Sequence, residues 1–419
     1  MSLSKTNSIA VIGAGITGVT TAYKLARRGC QVTIFDRHPY AAMETSFANG
    51  GQLSASNAEV WNSWANVFKG LKWMMSPGAP LLINPAPTWH KLSWMGEFIA
   101  SIPDYEVNTI TTARLAIEAR HHLKQMAAQE GIDFDCEERG ILHFYEAKAD
   151  FIAAEKVSVL LAKGGVERRA VTPEEMSAIE PALRGKYYGG FYTPSDFTGD
   201  IHKFTIGLAK ACERHGVEMR FSTDVLSVDA GSENVRIVSR STEPTPDGST
   251  PKAEVRLFDK VVVCGGVTSR ALARSLGDRV NIYPVKGYSI TVNLTERADQ
   301  DLTPWVSLLD DHAKIVTSRL GKTRLRVAGT AEFIGFNRDI RDARIAPLIA
   351  WCRLHFPGMS TRECVPWAGL RPMVPNMLPH VARGRNPRVF YNTGHGHLGW
   401  TLSAATADAV AALATAGVD

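Results

Sequence analysis

The sequence is short of several things, and each absence removes a class of protein. Its six cysteines (Cys30, Cys136, Cys212, Cys264, Cys352 and Cys364) form no C-x-x-C pair and stand at no metal-ligand spacing from a histidine, so neither a disulfide framework nor a metal site is expected. Reduced, mostly buried thiols are the expectation. There is no basic run: Lys and Arg are scattered among acidic residues, and a net charge of +5 is small for 419 residues, which argues against a nucleic-acid partner. No stretch approaches the ~18 to 20 apolar residues that span a bilayer, so any membrane contact would be peripheral. The start, through Ser2, Lys5 and Asn7, lacks the basic region, apolar stretch and cleavage site of a secretory signal, and a cytoplasmic location is expected. No internal repeat or low-complexity segment occurs.

What is present is an ordinary globular composition, 45% hydrophobic and 21% charged, on a chain long enough for two cores, since one core seldom grows beyond ~250 to 300 residues. Residues 8–12 form a short apolar run, followed by a glycine cluster, an Ala/Leu/Arg-rich stretch to Arg28 and a second run at 31–35; this is a βαβ unit. Residues 108–130 read as an amphipathic helix on Ile110, Leu115, Ile117, Leu123 and Met126. Strands are predicted at 140–145 and 187–192, a helix at 204–215 and a strand pair over 217–228. The stretch 243–248, with Pro244, Pro246 and Asp247-Gly248, reads as a loop. Further strands fall at 259–263, 283–294, 324–332 and 389–392 before a closing helix. Five of the nine tryptophans (Trp61, Trp64, Trp73, Trp89, Trp94) lie in 61–102 with Phe68, Met74, Met75 and Met95, broken by Pro77, Pro80, Pro85 and Pro87. That segment reads either as a buried core or, with Lys69, Lys72 and Lys91, as a membrane-interface surface.

The run Val11-Ile12-Gly13-Ala14-Gly15-Ile16-Thr17-Gly18 puts G-x-G-x-x-G between a strand and a helix. Gly13 allows the tight turn, Gly15 lets backbone approach a pyrophosphate, and Gly18 lets the helix pack on the strand. The helix N-terminus offers N–H groups to phosphate. Asp36 ends the next strand, where a carboxylate can accept from ribose hydroxyls. Dinucleotide binding follows, but this motif alone does not separate NAD from FAD.

Four further motifs carry a resemblance. Glu44-Thr45-Ser46-Phe47-Ala48-Asn49-Gly50-Gly51-Gln52, Tyr283-Pro284-Val285-Lys286-Gly287-Tyr288-Ser289, Trp367-Ala368-Gly369-Leu370-Arg371-Pro372 and Asn392-Thr393-Gly394-His395-Gly396-His397-Leu398-Gly399-Trp400-Thr401 resemble, in order and over nearly the whole chain, the D-amino acid dehydrogenase family (small-subunit type) of the D-amino acid oxidase and glycine oxidase group. The resemblance implies an α/β fold: a Rossmann-like FAD-binding domain of the glutathione-reductase type, from residues 1–60, 200–280 and 365–419, and a mixed-sheet α+β substrate or cap domain from 61–199 and 281–364. It implies non-covalent FAD, there being no cysteine in the C-terminal motif. The expected cofactor-binding set is Gly13, Gly15, Ile16, Thr17, Gly18, Asp36, Arg37, His38, Thr45, Ser46, Asn49, Gly50, Gly51, Gln52, Leu53, Val225, Gly265, Gly266, Gly394, Gly396, His397, Leu398, Gly399, Trp400 and Thr401.

Arg371 is implied to bind the substrate carboxylate, a task for which its planar fork is suited. Tyr288 is expected to close on the same carboxylate, and His395 to lie by the flavin. The implied reaction is hydride transfer from the Cα of a D-amino acid to flavin N5, imine hydrolysis to a keto acid, and delivery of electrons to a quinone or other respiratory acceptor, with contact at the inner face of the cytoplasmic membrane. The family turn commonly reads Arg-Pro-x-Thr-Pro-Asp-Gly, whereas here Val374, Asn376 and Met377 replace threonine, aspartate and glycine. That departure leaves oxidation of a secondary amino or imino acid as an alternative; an NAD-dependent dehydrogenase and a non-catalytic FAD-binding component of a larger complex are the readings from other classes.

Overall fold

The computed structural model describes residues 7–73, 79–245 and 247–416. Ser2, Lys5, Met74, Met75, Pro77 and Pro246, used in the sequence reading, lie outside the described residues. The apolar runs at the N-terminus form the centre of a six-stranded sheet, in the order His380–Arg383, Val389–Thr393, Lys260–Val263, Ser8–Ile12, Gln31–Phe35, Glu218–Arg220. Every pairing in it is parallel except that of the first two strands. Its inner strands are buried on both faces, which is why they read as unbroken apolar runs rather than alternating ones.

One face is covered by the helices Ile16–Arg27, Ile201–Arg214 and Gly399–Thr415, with Val19, Leu208, Phe204 and Val410 in a common core. The other is covered by a three-stranded antiparallel sheet, Thr223–Ala230, Val235–Ser241 and Glu254–Phe258. The predicted strand pair at 217–228 is therefore split between two sheets. Ser222, with φ +47°, makes the turn between them.

The second body is a nine-stranded mixed sheet. Eight strands run in the order Cys364–Met373, Tyr283–Asn293, Arg324–Phe333, Ile315–Leu320, Ser307–Asp310, Ile141–Tyr145, Gly189–Thr193, Arg169–Val171, and Leu81–Ile83 adds in parallel to Arg324–Phe333. Helix Asp342–His355 packs on it through Ile345, Leu348 and Trp351. The strand Cys364–Met373 belongs to this sheet, pairing with Tyr283–Asn293 over ten residues, so the chain returns to the first sheet after Met373, not at the expected 365.

Helix Tyr105–Glu130 starts earlier than predicted; of the apolar positions expected to be buried, Leu123 and Met126 are, but its N-terminal half buries small side chains instead. Thr109, Thr112, Ala113, Ala116 and Ala119 are buried, whereas Ile110, Leu115 and Ile117 are half-buried. Small side chains let this helix approach Gly399–Thr415 closely. The tryptophan-rich segment forms the helices Trp64–Trp73 and Trp89–Ala100. Trp94 is buried, its Nε1 donating to the Met373 carbonyl at 2.8 Å, while Trp64 and Trp89 are exposed.

Candidate active site

A cavity of about 1070 Å³ runs from the glycine loop to the strands of the mixed sheet. It is at the upper end of ligand-pocket sizes, which suits a dinucleotide together with a small substrate. At the loop, Gly13 has φ +106°, and a Cβ there would lie 2.7 Å from the Cys264 carbonyl; a Cβ on Gly18 would strike the Gly13 carbonyl. Only glycine fits either place. Helix Ile16–Arg27 begins at the cavity with no acidic residue in its first turn, and of its free N–H groups Ile16 donates to Ser46 Oγ at 3.0 Å. The Asp36 carboxylate accepts from the N–H groups of Ala14 (2.6 Å) and His38 (2.9 Å) and keeps lone pairs free toward the cavity. Arg37 pairs with Asp224, and His38 with Glu44.

Cys264 also lines this end. Burial pushes its thiol up to about 12, so it stays protonated.

Along the middle, the turn 44–52 is tied to both bodies. Thr45 Oγ1 donates to the Leu370 carbonyl (2.8 Å), Asn49 Oδ1 accepts from Gly51 N (2.9 Å), and Gln52 Nε2 donates to Ser307 Oγ (2.8 Å). A Cβ on Gly50 would lie 2.7 Å from Val316 Cγ2. Of the expected cofactor-binding residues, the cavity wall includes all but Gly18, Gly51 and Leu53. Gly18 and Gly51 act through close backbone packing, and Leu53 is core. Near the C-terminus, Gly394 (φ +76°) and Gly396 (φ +59°) are left-handed, and helix Gly399–Thr415 starts on the cavity without an acidic residue in its first turn. Glycine turns where a Cβ would block, a helix start open to phosphate and an acid at the ribose position together fit FAD.

Arg371 stands where the large sheet meets the cavity. A Cβ on Gly287, across the strand pair, would lie 2.3 Å from Arg371 Cζ, so the guanidinium occupies the space that glycine leaves. Its Nη1 donates to the Thr330 carbonyl at 2.9 Å. Thr330 sits at an irregularity in the pairing of Arg324–Phe333 with Tyr283–Asn293 and has φ +61°, rare for a β-branched residue. No carboxylate among the described residues pairs with Arg371, and burial lowers its pKa to about 10. The guanidinium stays charged at neutral pH and awaits an anion.

Tyr288 does not join it. A Gly287 side chain would point at Arg371, so the next residue faces the other side of the sheet. The Tyr288 hydroxyl donates to Glu332 Oε2 (3.1 Å), and the fully buried Glu332 is shared with Lys286 (3.5 Å), Arg341 and Arg344 (3.0 Å). The alternation is readable from the strand, but not the direction in which each face looks.

His395 lies on the cavity wall. It is buried with Nε2 2.9 Å from Thr406 Oγ1, and burial depresses it to about 3. A neutral ring tied to helix Gly399–Thr415 is not poised as an acid or base. His397 lies flat on Trp61 (ring centroids 4.6 Å apart, 21° between planes). Burial first, then Arg371, depress it to about 3. Sequence reasoning passed over Glu59, Trp61, Asp311, Lys314 and Thr330, all on the cavity wall. Trp61 was visible only as part of a tryptophan-rich stretch; the others carried no local signal.

A glycine loop and an acid at the end of a parallel sheet, opening into one chamber with an unpaired guanidinium, define a dinucleotide-dependent enzyme whose substrate space adjoins its cofactor groove. The chain belongs to the DAO family of FAD-dependent oxidoreductases, whose model matches residues 8–413. FAD is its cofactor. It is 59% identical to D-amino acid dehydrogenase 3 of Mesorhizobium japonicum over 398 residues, 95% of this chain and 94% of the relative. It is 39% identical to a D-amino acid dehydrogenase of Dechloromonas aromatica over 410 residues, 96% of each. Its fold is that of glycine oxidase from Bacillus cereus (TM-score 0.73, 21% identity, 97% of this chain and 94% of the other).

Proposed function

We propose that the protein catalyses FAD-dependent oxidative deamination of a D-amino acid. The observation that carries this is Arg371, a charged guanidinium that has no acidic partner among the described residues and faces the cavity that begins at the dinucleotide loop. Bound FAD supplies a two-electron acceptor for the substrate Cα–H. The residues of the chain do the rest: Arg371 takes the carboxylate through its fork, Gly287 and Thr330 fix that fork, and Trp61, Leu81, Ile83 and Phe333 exclude water around the substrate. The two relatives named D-amino acid dehydrogenase support a D-configured primary amine as substrate.

The electrons pass to a quinone or another respiratory acceptor, and the protein meets the inner face of the cytoplasmic membrane through 64–99. Exposure of Trp64, Phe68, Leu71, Trp89, Leu92 and Ile99 in that segment supports this reading. No helix among the described residues is long and apolar enough to cross a membrane.

The test is anaerobic mixing with D-, L- and N-substituted amino acids while the visible flavin band is followed. D-amino acids are expected to bleach it. Bleaching by N-substituted amino acids alone would replace this reading with secondary-amine oxidation, and no bleaching by any of them would remove it.

A further inference from the structure

Most ionisable groups on the cavity wall are already compensated within the chain. Arg37 pairs with Asp224, and Glu44 with His38 and Arg338. Lys314 pairs with Asp311 at 3.0 Å, and Asp311 also accepts from the Tyr145 hydroxyl at 2.6 Å. Asp36 accepts from two backbone N–H groups, and Lys91 donates to the carbonyls of Asn84 and Ala86. Apart from the two neutral histidines, two groups remain, one of each sign. Arg371 has a single hydrogen bond, to a carbonyl. Glu59 also has a single one: its Oε1 accepts from the Tyr105 hydroxyl at 2.7 Å, and no cation among the described residues forms an ion pair with it.

Glu59 is half-buried and faces the cavity. A carboxylate so placed is costly to keep charged unless something pairs with it. Burial raises its pKa and outweighs the hydrogen bond from Tyr105, which lowers it; Asp311 raises it further, Lys314 and Arg168 lower it, and Lys314 is itself engaged by Asp311. Arg371 and Glu59 have different neighbours on the wall: Arg371 bonds the Thr330 carbonyl, whereas Glu59 bonds Tyr105 and lies within the influence of Asp311 and Lys314. What Glu59 lacks is a cation of the ligand. Trp61, two residues on, lines the same wall and suits a cation carried on methylenes.

Resting on the proposed amino acid reaction, we infer that Glu59 is a specificity-determining residue that pairs with a cationic side chain, so that the substrate class is basic D-amino acids. One end of such a ligand neutralises Arg371 and the other neutralises Glu59. An apolar substrate would leave the acid unpaired.

The test separates this inference from the reaction itself. 6-Aminohexanoate is lysine without its α-amine and offers no α-amino group to oxidise; hexanoate lacks the terminal ammonium as well. Both are titrated into the FAD-loaded protein and read by perturbation of flavin absorbance. The wild type is expected to bind 6-aminohexanoate at least ~10-fold more tightly than hexanoate, and Glu59→Gln, which keeps an acceptor for Tyr105, to bring the two within ~3-fold of each other. In turnover, the ratio of kcat/KM for D-lysine over D-norleucine should fall ~10- to 100-fold in the same variant. Glu59→Asp, which retains the charge, should recover part of both differences. Equal binding of the two acids by the wild type overturns the inference, as does equal weakening of both by Glu59→Gln, or loss of FAD in place of either change. If no D-amino acid bleaches the flavin while the preference for 6-aminohexanoate stands, the reaction is wrong and the cationic subsite is retained.

Discussion

At the scale of single residues, the site depends on what Gly287 lacks. A methyl there would lie 2.3 Å from Arg371 Cζ, far inside contact distance, so Gly287→Ala must move the guanidinium or the strand pair. Arg371→Lys, by contrast, keeps the charge and loses the fork. Both are expected to lower kcat/KM by about 2 to 4 kcal/mol of transition-state stabilisation while FAD content holds. Steady-state kinetics with flavin quantification checks this, and a fully active Gly287→Ala would show that the fork does not need its present place. His395 supports a prediction about pH. Its ordinary value is 6.5 and burial lowers it to about 3. Between those values the unfolded chain holds a proton that the folded chain does not, so stability is unaffected above pH ~6.5 and falls as pH drops toward 3, by ~1.4 kcal/mol per unit for each such histidine. His143, lowered to about 4 by burial, adds to the same slope. Denaturation midpoints of His395→Gln from pH 6.5 to 4.5 should fall less steeply than those of the wild type; an unchanged slope would mean that the ring is charged when folded. Arg371 and His395 were both picked out by motifs, but a motif fixes neighbours in sequence only, and it is Thr406, eleven residues on, that holds the His395 ring.

At the scale of elements, legibility followed how local the physics is. The first βαβ unit was readable because strand, turn and helix each carry their own signal, down to Gly13 and Gly18. Helix Tyr105–Glu130 was found, and Leu123 and Met126 mark its buried face, but the N-terminal part of that face, Thr109, Thr112, Ala113, Ala116 and Ala119, carries no hydrophobic stripe to read. The sheet membership of Cys364–Met373 depends on pairing with Tyr283–Asn293, some eighty residues earlier in the chain, and no local pattern reports it. The turn after that strand sets two effects against each other. Met377 stands where the resembled family commonly has glycine, and it has φ +64° with a buried side chain in the cluster of Trp94, Phe333 and Met373. Met377→Gly relieves ~1 to 2 kcal/mol of left-handed strain but removes a packed side chain worth ~2 to 5 kcal/mol. Packing wins, so the variant should be less stable by roughly 1 to 3 kcal/mol in chemical denaturation. A more stable variant would mean that the methionine contributes little to the core.

At the scale of the whole molecule, the segment 61–100 turns one face inward and one outward. Trp61, Trp94, Met95 and Phe98 line the cavity, while Phe68 (64% exposed), Trp89 (83%) and Trp64 lie outside it; Leu71, Leu92 and Ile99 do both, exposed and on the cavity wall. The core expectation fits its inward side, and the membrane-facing surface stays a proposal for the exposed one. Lys91 leaves the second account: it is buried and bonded to the Asn84 and Ala86 carbonyls. Lys69 and Lys72 remain exposed beside Phe68 and Leu71. The same stretch is therefore both a wall of the substrate chamber and the surface proposed to meet lipid, a short path for a hydrophobic electron acceptor. Two measurements separate the parts of this account. With one D-amino acid substrate, reduction of a quinone analogue should outpace peroxide formation; rapid stoichiometric peroxide would make the enzyme an oxidase. In sedimentation with anionic liposomes at low salt, the wild type should partition to the pellet, and Lys69→Glu with Lys72→Glu should weaken this by at least ~2 kcal/mol, about 30-fold, since each lysine near such a surface contributes ~1 kcal/mol. Added salt should weaken the wild type toward the variant, because that contribution is screened over ~10 Å at 0.1 M. Trp89→Ser with Phe68→Ser should reduce partitioning at every salt concentration, because the apolar contribution is not screened. A wild type that never sediments would leave these side chains as the contact face for another protein chain, and the quinone would then have to reach the flavin from solution.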